Sequence, residues 1–240
     1  MSTPSTIFIS GVAGFLGSHL ADHFLAHGHR VVGCDNLLGG YLDNVPAGVE
    51  FHAVDCNDLT KLSAITRGVD VVFHAAATAY EGLSVFSPHL VTQNIVGASV
   101  GMFTAAIRNG ARRIVYCSSM ARYGAHAVPF TEEMAPRPQD PYGIGKYTAE
   151  LMLRNLCEVH RTEYVIAVPH NIIGPRQKYD DPYRNVASIM TNLMLQGRQP
   201  YIYGDGTQRR CFSFVHDVVP CLARLALDPD VHGEVFNVGP

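Results

Sequence analysis

A tyrosine and a lysine four residues apart, Tyr142 and Lys146, are the side chains in this sequence best suited to acid–base chemistry. Pro141 suits the first turn of a helix and Asp140 suits its N-cap, so the pair is predicted to share one helix face. A nearby cation and the positive end of a helix both favour phenolate. The spacing therefore predicts a tyrosine base assisted by lysine, although the same spacing also occurs on solvated helix faces.

Three glycines at three-residue spacing, Gly11, Gly14 and Gly17, follow the short apolar run from Ile7 to Ile9. Glycines permit a tight turn and a close approach of the backbone to a pyrophosphate, and a helix N-terminus beyond them offers free N–H groups. The next apolar run ends in Asp35, whose carboxylate can accept hydrogen bonds from the hydroxyls of an adenine ribose. The pattern predicts a dinucleotide-binding turn, and the alternative is an ordinary glycine-rich loop.

Apolar runs and helical patterns alternate along the chain and must position these residues. Strands are predicted in the runs that open near residues 7, 31, 51, 69, 114 and 164, and helices over about 14–28, 58–67, 88–109 and 141–160. This alternation is typical of an α/β protein with a doubly wound parallel sheet. Ser119 follows the fifth run, at the sheet edge where such folds bind ligands.

The rhythm changes after Pro169, where prolines and glycine turns become frequent. Residues 169–213 are therefore interpreted as a smaller part that covers the substrate. Beyond them, Asp217 is predicted to cap a helix that ends at Leu227, and residues 234–238 are predicted to form a strand.

The composition narrows the class of protein. Of the 240 residues, 47% are hydrophobic and 16% are charged, and the net charge is −3. These values are typical of a soluble globular protein and exclude the basic footprint of a nucleic-acid-binding protein. We expect no signal peptide, no apolar stretch of membrane-span length, and cysteines that stay reduced in the cytoplasm. His19, His23 and His27 have a spacing that can bind zinc, but an ordinary helix face is the preferred interpretation, so no metal site is predicted.

Taken in order, these motifs resemble the extended short-chain dehydrogenase/reductases, and within them the NAD-dependent epimerase/dehydratase family of nucleotide-sugar enzymes. The resemblance covers nearly the whole chain. The matching segments are GVAGFLGSHL at 11–20, DNL at 35–37, Asp55, HAA at 74–76, NIVG at 94–97, Ser118-Ser119 with Tyr123-Gly124, PYGIGK at 141–146, NIIGPR at 171–176 and GDGTQRRCF at 204–212.

The resemblance implies NAD as cofactor, a small-molecule nucleotide sugar as substrate, no nucleic-acid or membrane partner, and a homodimer. Residues 1–168 would be an NAD-binding Rossmann domain with 214–240 packing back onto it, and 169–213 a substrate-binding part that is C-terminally incomplete. The implied catalytic residues are Ser119, Tyr142 and Lys146. The implied cofactor-binding residues are Gly11, Gly14, Phe15, Leu16, Gly17, Asp35, Asn36, Asp55, Cys56, Ala75, Ala76, Ala77, Asn94, Tyr142, Lys146 and Pro169. The implied substrate-binding residues are Ser84, Ser119, Asn171 and Arg210.

Departures from the family pattern narrow the expected reaction. Family dehydratases carry Asp-Glu directly after the catalytic hydroxyl residue, whereas this chain has Met120 and Ala121 there, which argues against 4,6-dehydration. The resemblance therefore implies a UDP-sugar 4-epimerase that acts through a transient keto-sugar. Two alternatives stay open: an NAD(P)-dependent reductase or dehydratase of a nucleotide sugar or another carbonyl substrate, and a non-catalytic dinucleotide-binding protein. Val168-Pro169-His170 stands where the family usually has an arginine and aromatic residues before Asn171. Family members usually continue for several tens of residues beyond Gly239.

Overall fold

The computed structural model describes residues 4–181, 185–202 and 204–239. The strands are β1 (Thr6–Ser10), β2 (Arg30–Asp35), β3 (Glu50–Ala53), β4 (Val71–His74), β5 (Arg113–Cys117), β6 (Glu163–Pro169), β7 (Ile172–Ile173), β8 (Ser213–Phe214) and β9 (Val235–Val238). Within the described residues, seven of them form one parallel sheet in the order β3-β2-β1-β4-β5-β6-β9. β7 and β8 form a separate parallel pair.

Helices cover both faces of the large sheet. They are α1 (Phe15–Ala26), α2 (Leu59–Ile65), α3 (Glu81–Ser84), α4 (Pro88–Thr92), α5 (Ala98–Arg108), α6 (Pro141–His160), α7 (Val186–Leu195) and α8 (Val215–Leu227). Single turns of 3-10 helix occupy Leu42–Asn44 and Met120–Arg122, and a π-helical turn, Gln93–Gly97, joins α4 to α5. α1 packs with α8 on one face, and α2 and α6 pack with α5 on the other.

The alternation of side chains along each strand fills these two layers. In β1, Ile7 and Ile9 belong to the core beneath α1 and α8, whereas Phe8 belongs to the core beneath α2, α5 and α6. Successive strand residues point to opposite faces, so a strand buried on both faces must be apolar at every position. The predicted doubly wound parallel sheet is confirmed, and the predicted strands differ from the observed ones only at their ends.

Two details of the C-terminal part were not predicted correctly. The expected cap at Asp217 is wrong, because α8 begins at Val215 directly after β8, with Phe214 at the N-cap position and no side-chain cap. Asp217 lies in the first turn instead, where its negative charge suits the positive end of the helix. α7 was not predicted, because it lies inside a stretch rich in proline and in glycine turns.

The expectation that no apolar stretch reaches the length of a membrane span also needs correction. The helical segment Pro88–Arg108 has 21 residues and a mean hydropathy of 1.4, so it is long and apolar enough to cross a membrane. The core helix of a water-soluble domain can meet the same criterion, and here Met102 and Phe103 of this segment are fully buried against the sheet. The length of a single apolar helix is therefore weak evidence for a membrane span.

Candidate active site

A cavity of about 240 Å³ lies at the carboxyl ends of the parallel strands. Every residue predicted to bind the cofactor lines it: Gly11, Gly14, Phe15, Leu16, Gly17, Asp35, Asn36, Asp55, Cys56, Ala75, Ala76, Ala77, Asn94, Tyr142, Lys146 and Pro169. The fold thus brings together residues as far apart in the sequence as Gly11 and Pro169, which are separated by 158 positions. Their role in binding stays a prediction that this placement supports.

The glycine turn after β1 leaves no room for side chains. Gly11 has a φ of +75°, and a Cβ there would lie 2.9 Å from the Cα of Ala76. A Cβ on Gly17 would lie 2.1 Å from the carbonyl oxygen of Gly11. Gly14 is the N-cap of α1 and supplies no side-chain acceptor for the N–H groups of the first turn. Those N–H groups and the helix dipole therefore suit a phosphate.

Two carboxylates stand at the ends of β2 and β3. The Asp35 carboxylate is buried and accepts hydrogen bonds from the Ala13 N–H at 3.1 Å and the Leu37 N–H at 2.7 Å. Burial raises its pKa, and these hydrogen bonds oppose the rise. Burial alone would also raise the pKa of Asp55, but hydrogen bonds from Asn36 and Asn57 outweigh it and lower that pKa. These oxygens can accept hydrogen bonds from ribose hydroxyls or adenine.

The predicted acid–base pair lies on α6. Asp140 caps this helix by accepting a hydrogen bond from the Gly143 N–H at 2.8 Å, as the sequence predicted. Tyr142 and Lys146 are both buried and both line the cavity. The Lys146 ammonium donates to the Cys117 carbonyl oxygen at 2.8 Å, and burial lowers its pKa to about 8. The ammonium is therefore retained at neutral pH and lost in mildly alkaline solution.

Gly143 allows α6 to approach the turn that follows β5. A Cβ at Gly143 would lie 2.9 Å from the carbonyl oxygen of Ala121. Ser119 is the N-cap of that turn, and its Oγ accepts a hydrogen bond from the Ala121 N–H at 3.2 Å. Ser119 itself is not among the residues that line the cavity, whereas its neighbour Ser118 is.

Ten further residues that line the cavity were not predicted: Leu38, Gly39, Val54, Asn57, Thr78, Ala79, Tyr80, Ala98, Cys117 and Ser118. Most of them flank predicted residues at strand ends, so extending each predicted strand end by a few positions would have found them. Thr78 has a defined contact, because its Oγ1 accepts a hydrogen bond from Asn94 Nδ2 at 3.0 Å. That bond orients the side-chain amide of Asn94, which is one of the predicted cofactor-binding residues.

The residues predicted to bind substrate lie outside this cavity. Asn171 Nδ2 donates to the Cys211 carbonyl at 3.0 Å, which ties the end of β6 to the segment that holds Arg210. Arg210 is exposed and interacts electrostatically with Glu81 of α3. Ser84 of the same helix is buried, and its hydroxyl donates to the Glu81 carbonyl at 2.6 Å. Their role in substrate binding therefore remains a prediction.

The three histidines at zinc-binding spacing, His19 and His23 of α1 and His27 at its C-cap, contact protein groups. His19 Nε2 lies 3.1 Å from the Pro175 carbonyl oxygen, and the His23 and His27 rings stack with centroids 4.2 Å apart. Among the residues described by the structure, no group of three or more His, Cys, Asp or Glu side chains could hold a metal ion.

Residues 7–239 match the NAD dependent epimerase/dehydratase family. The chain is 37% identical to a UDP-glucose 4-epimerase of Mycolicibacterium smegmatis, over 96% of this chain and 76% of that protein. It is similar to the crystal structure of UDP-glucose 4-epimerase with UDP-glucose from Thermotoga maritima, with a TM-score of 0.91, 31% identity, and coverage of 98% of this chain and 76% of that one. A Thermus thermophilus UDP-glucose 4-epimerase complex with NAD gives a TM-score of 0.88 at 29% identity, covering 98% and 77%.

The family match extends over almost all of the described chain, and it includes the glycine turn, Asp35, Tyr142 and Lys146. The residues around the cavity fit the cofactor of that family, because the turn excludes side chains and presents helix N–H groups to a phosphate. The chain therefore belongs to the NAD-dependent epimerase/dehydratase family of extended short-chain dehydrogenase/reductases, whose cofactor is NAD.

Proposed function

We propose that this chain is an NAD-dependent nucleotide-sugar epimerase and that it inverts the 4-position of a UDP-sugar. The observation that carries the proposal is the placement of Tyr142 and Lys146 on the same cavity as the glycine turn. A protein that only binds a dinucleotide has no need of a buried tyrosine–lysine pair there. The similarity to UDP-glucose 4-epimerases supports the choice of substrate.

Different residues of the cavity are proposed to bind different parts of the cofactor. Gly11, Gly14 and Gly17 would hold the pyrophosphate against the N-terminus of α1. Asp35 would accept hydrogen bonds from the adenosine ribose, with Asp55 close to the adenine. Because Asp35 is an acid and the two residues after it are Asn36 and Leu37, the site should prefer NAD to NADP.

Bound NAD supplies a hydride acceptor that later returns the hydride, so the reaction has no net redox change. Tyr142, as phenolate, accepts the proton of a sugar hydroxyl and returns it to the epimerised product. The Lys146 ammonium, held by the Cys117 carbonyl, favours the phenolate. Ser119 is proposed to hydrogen-bond the same sugar oxygen and to hold it in line.

Asn171 and Arg210 are proposed to anchor the diphosphate, so that the sugar can turn over while it stays attached. The support is local: Asn171 is bonded to the segment that carries Arg210, and a guanidinium fork matches phosphate oxygens. This assignment makes residues 169–213 the substrate-binding part and residues 1–168 the NAD-binding domain, with α8 and β9 packed on the large sheet.

A homodimer and a cytoplasmic location are part of the same proposal. α6 leaves four large apolar side chains exposed, Ile144, Leu151, Met152 and Val159, which a second copy of the chain could cover. Of the cysteines, all six are free thiols, as is usual in a reducing compartment.

Product stereochemistry and cofactor balance test the function. The purified chain with NAD and UDP-glucose should form UDP-galactose, followed by NMR, without accumulation of NADH in solution. Release of NADH in proportion to product would support the reductase alternative, and loss of water from the sugar would support a dehydratase. Either result would overturn the epimerase assignment. The Tyr142→Phe variant is the control for contaminating epimerase activity.

A further inference from the structure

A buried carboxylate lies one helical turn beyond Lys146. Glu150 is 0% exposed, and its carboxylate accepts a hydrogen bond from the Ser118 hydroxyl. Its other oxygen lies 3.2 Å from a terminal guanidinium nitrogen of Arg122, which is itself 3% exposed. The three residues come from α6, from the end of β5 and from the turn after Ser119, so the cluster joins the elements that carry the proposed catalytic residues.

Arg122 has few other polar contacts. Its Nε and Nη1 atoms have no hydrogen-bond partner among the described residues, and its guanidinium lies 5.3 Å from the Tyr123 ring centroid and 6.0 Å from that of Tyr147. A buried ion pair is usually no more stabilising than well-packed apolar residues of similar volume, because both charges lose their hydration. Stability alone therefore gives little reason for this pair.

The charges that act on Lys146 point to a role. Among the residues that the structure describes, Cys117 on β5 and Glu150 on α6 raise the pKa of Lys146, and burial lowers it to about 8. Burial raises the pKa of Cys117 to about 12, so at neutral pH that thiol carries no charge. Glu150 is the carboxylate in this set. Burial raises its pKa, and the Ser118 hydrogen bond and the charges of Arg122, Arg154 and Lys146 oppose that rise.

Two further titratable groups near Lys146, His74 and Tyr116, are uncharged at neutral pH. On β4, burial and, to a smaller extent, the Lys146 charge lower the pKa of His74 to about 3. On β5, the Tyr116 ring centroid lies 5.0 Å from the Lys146 ammonium, and burial raises the pKa of this phenol. Tyr142, one turn before Lys146, is the proposed proton acceptor itself. Glu150 is thus the carboxylate that opposes the effect of burial on the charge of Lys146.

We propose that Glu150 is a positioning residue that holds Lys146 in its ammonium form, and that Arg122 keeps Glu150 ionised. The Ser118 hydrogen bond fixes the same carboxylate to the end of β5, next to Ser119 and to the Cys117 carbonyl that receives the ammonium. The link to catalysis rests on the proposed function, whereas the effect on the charge of Lys146 does not.

A titration of Lys146 measures that charge directly. The sequence contains three lysines, Lys61, Lys146 and Lys178, so ¹³C-lysine labelling gives three side-chain signals, and Lys146→Arg identifies the one of interest. Glu150→Gln keeps the size of the side chain and an acceptor for Ser118 but removes the charge. We expect the titration midpoint of Lys146 to fall by about one pH unit. The alkaline limb of kcat should move to lower pH by the same amount.

The ion pair between Arg113 of β5 and Glu163 of β6 provides the control. Arg113 is fully buried at the opposite end of the strand, with its guanidinium 2.8 Å from the Glu163 carboxylate. Glu163→Gln also removes a carboxylate that pairs with a buried arginine. It does so at the start of β5, whereas Lys146 contacts the Cys117 carbonyl at the end of that strand. We expect it to leave the Lys146 midpoint unchanged.

Two further variants keep the test decisive. Glu150→Asp retains the charge and should retain the wild-type midpoint within about 0.3 pH units. If Glu150→Gln does not fold, the apolar replacement Arg122→Met/Glu150→Met supplies the uncharged comparison and should show a smaller fall, because it also removes the Arg122 cation. An unchanged Lys146 midpoint in a folded variant without the Glu150 charge would overturn the inference. A shifted midpoint in a chain without epimerase activity would instead overturn the proposed function and leave the inference standing.

Discussion

The cofactor-binding part and the segment 169–213 differ in how completely they bury their apolar residues. Around the large sheet, both layers of the core consist of side chains removed from water, and the cavity forms at strand ends that this core holds in place. α7, in contrast, has no buried residue, although its sequence VASIMTNLML is mostly apolar, and Leu195 is 83% exposed.

Because of this difference, the proposed cofactor-binding and catalytic residues are held more firmly than the proposed substrate-binding residues. The glycine turn and the Tyr142–Lys146 pair are fixed by backbone contacts to a packed sheet. Asn171, in contrast, is bonded to the Cys211 carbonyl, next to Arg210, within a segment that leaves many apolar residues exposed. We therefore expect variants near the large sheet to have large, specific effects, and variants of α7 to have small ones.

The largest effect is expected for Tyr142→Phe. It removes the proposed base and leaves the glycine turn intact, so kcat should fall by about 10²- to 10⁴-fold while the Kd for NAD changes little. Single-turnover kinetics and a fluorescence titration with NAD measure the two quantities. A variant that keeps its kcat would show that the base lies elsewhere.

Gly17→Ala should disrupt the turn itself. The added Cβ would lie 2.1 Å from the Gly11 carbonyl oxygen, and backbone atoms cannot move away as the end of a flexible side chain could. We expect a loss of about 1–3 kcal/mol in the free energy of unfolding, measured by urea denaturation, together with weaker NAD binding. Gly82→Ala is the matched control, because a Cβ there meets nothing within 4 Å. Equal effects of the two substitutions would contradict this account of the turn.

Asp35→Ala tests the choice between the two nicotinamide cofactors. It removes the acceptor for the ribose hydroxyls and the charge that repels a 2′-phosphate, so the preference for NAD over NADP should drop by about tenfold. Calorimetric titration of both cofactors gives the ratio directly. Tighter binding of NADP than NAD by the unaltered chain would contradict the role assigned to Asp35.

The smallest effect is expected for Leu195→Gln on α7. Because this side chain is already exposed, the free energy of unfolding should change by less than about 0.5 kcal/mol. Leu153→Ala on α6, at a position that is 0% exposed, should cost about 2–5 kcal/mol and is the comparison. A large loss of stability from Leu195→Gln would show that α7 is covered in solution, which would remove the contrast between the two regions.

The sequence predicted best where a local rule determines the structure. The Asp140 cap, the buried strands and the glycine turn follow from residue type and short spacing, and the structure has the Asp140–Gly143 hydrogen bond and the crowded glycines. The prediction that Asp217 caps a helix was wrong because β8 runs directly into α8, and a side-chain cap is then not needed to start the helix.

The residues beneath the site could not be predicted, because long-range packing brings them together. Glu150 and Arg122 resemble ordinary surface charges in the sequence, and only the packing of α6 against the end of β5 buries both. The segment 169–213 was difficult for a related reason. Its prolines and glycines obscured α7, and none of the residues of that helix is buried in the described structure.

The most direct test of the central claim follows the hydrogen atom at the epimerised carbon. We would incubate the purified chain and NAD with UDP-glucose deuterated at carbon 4 and examine the product by mass spectrometry and NMR. If Tyr142 and NAD act on one sugar in one cavity, the UDP-galactose formed should retain the deuterium at carbon 4, with no NADH left in solution. Product in which solvent hydrogen has replaced the deuterium, or deuterated NADH released in proportion to a keto product, would contradict the proposed epimerase.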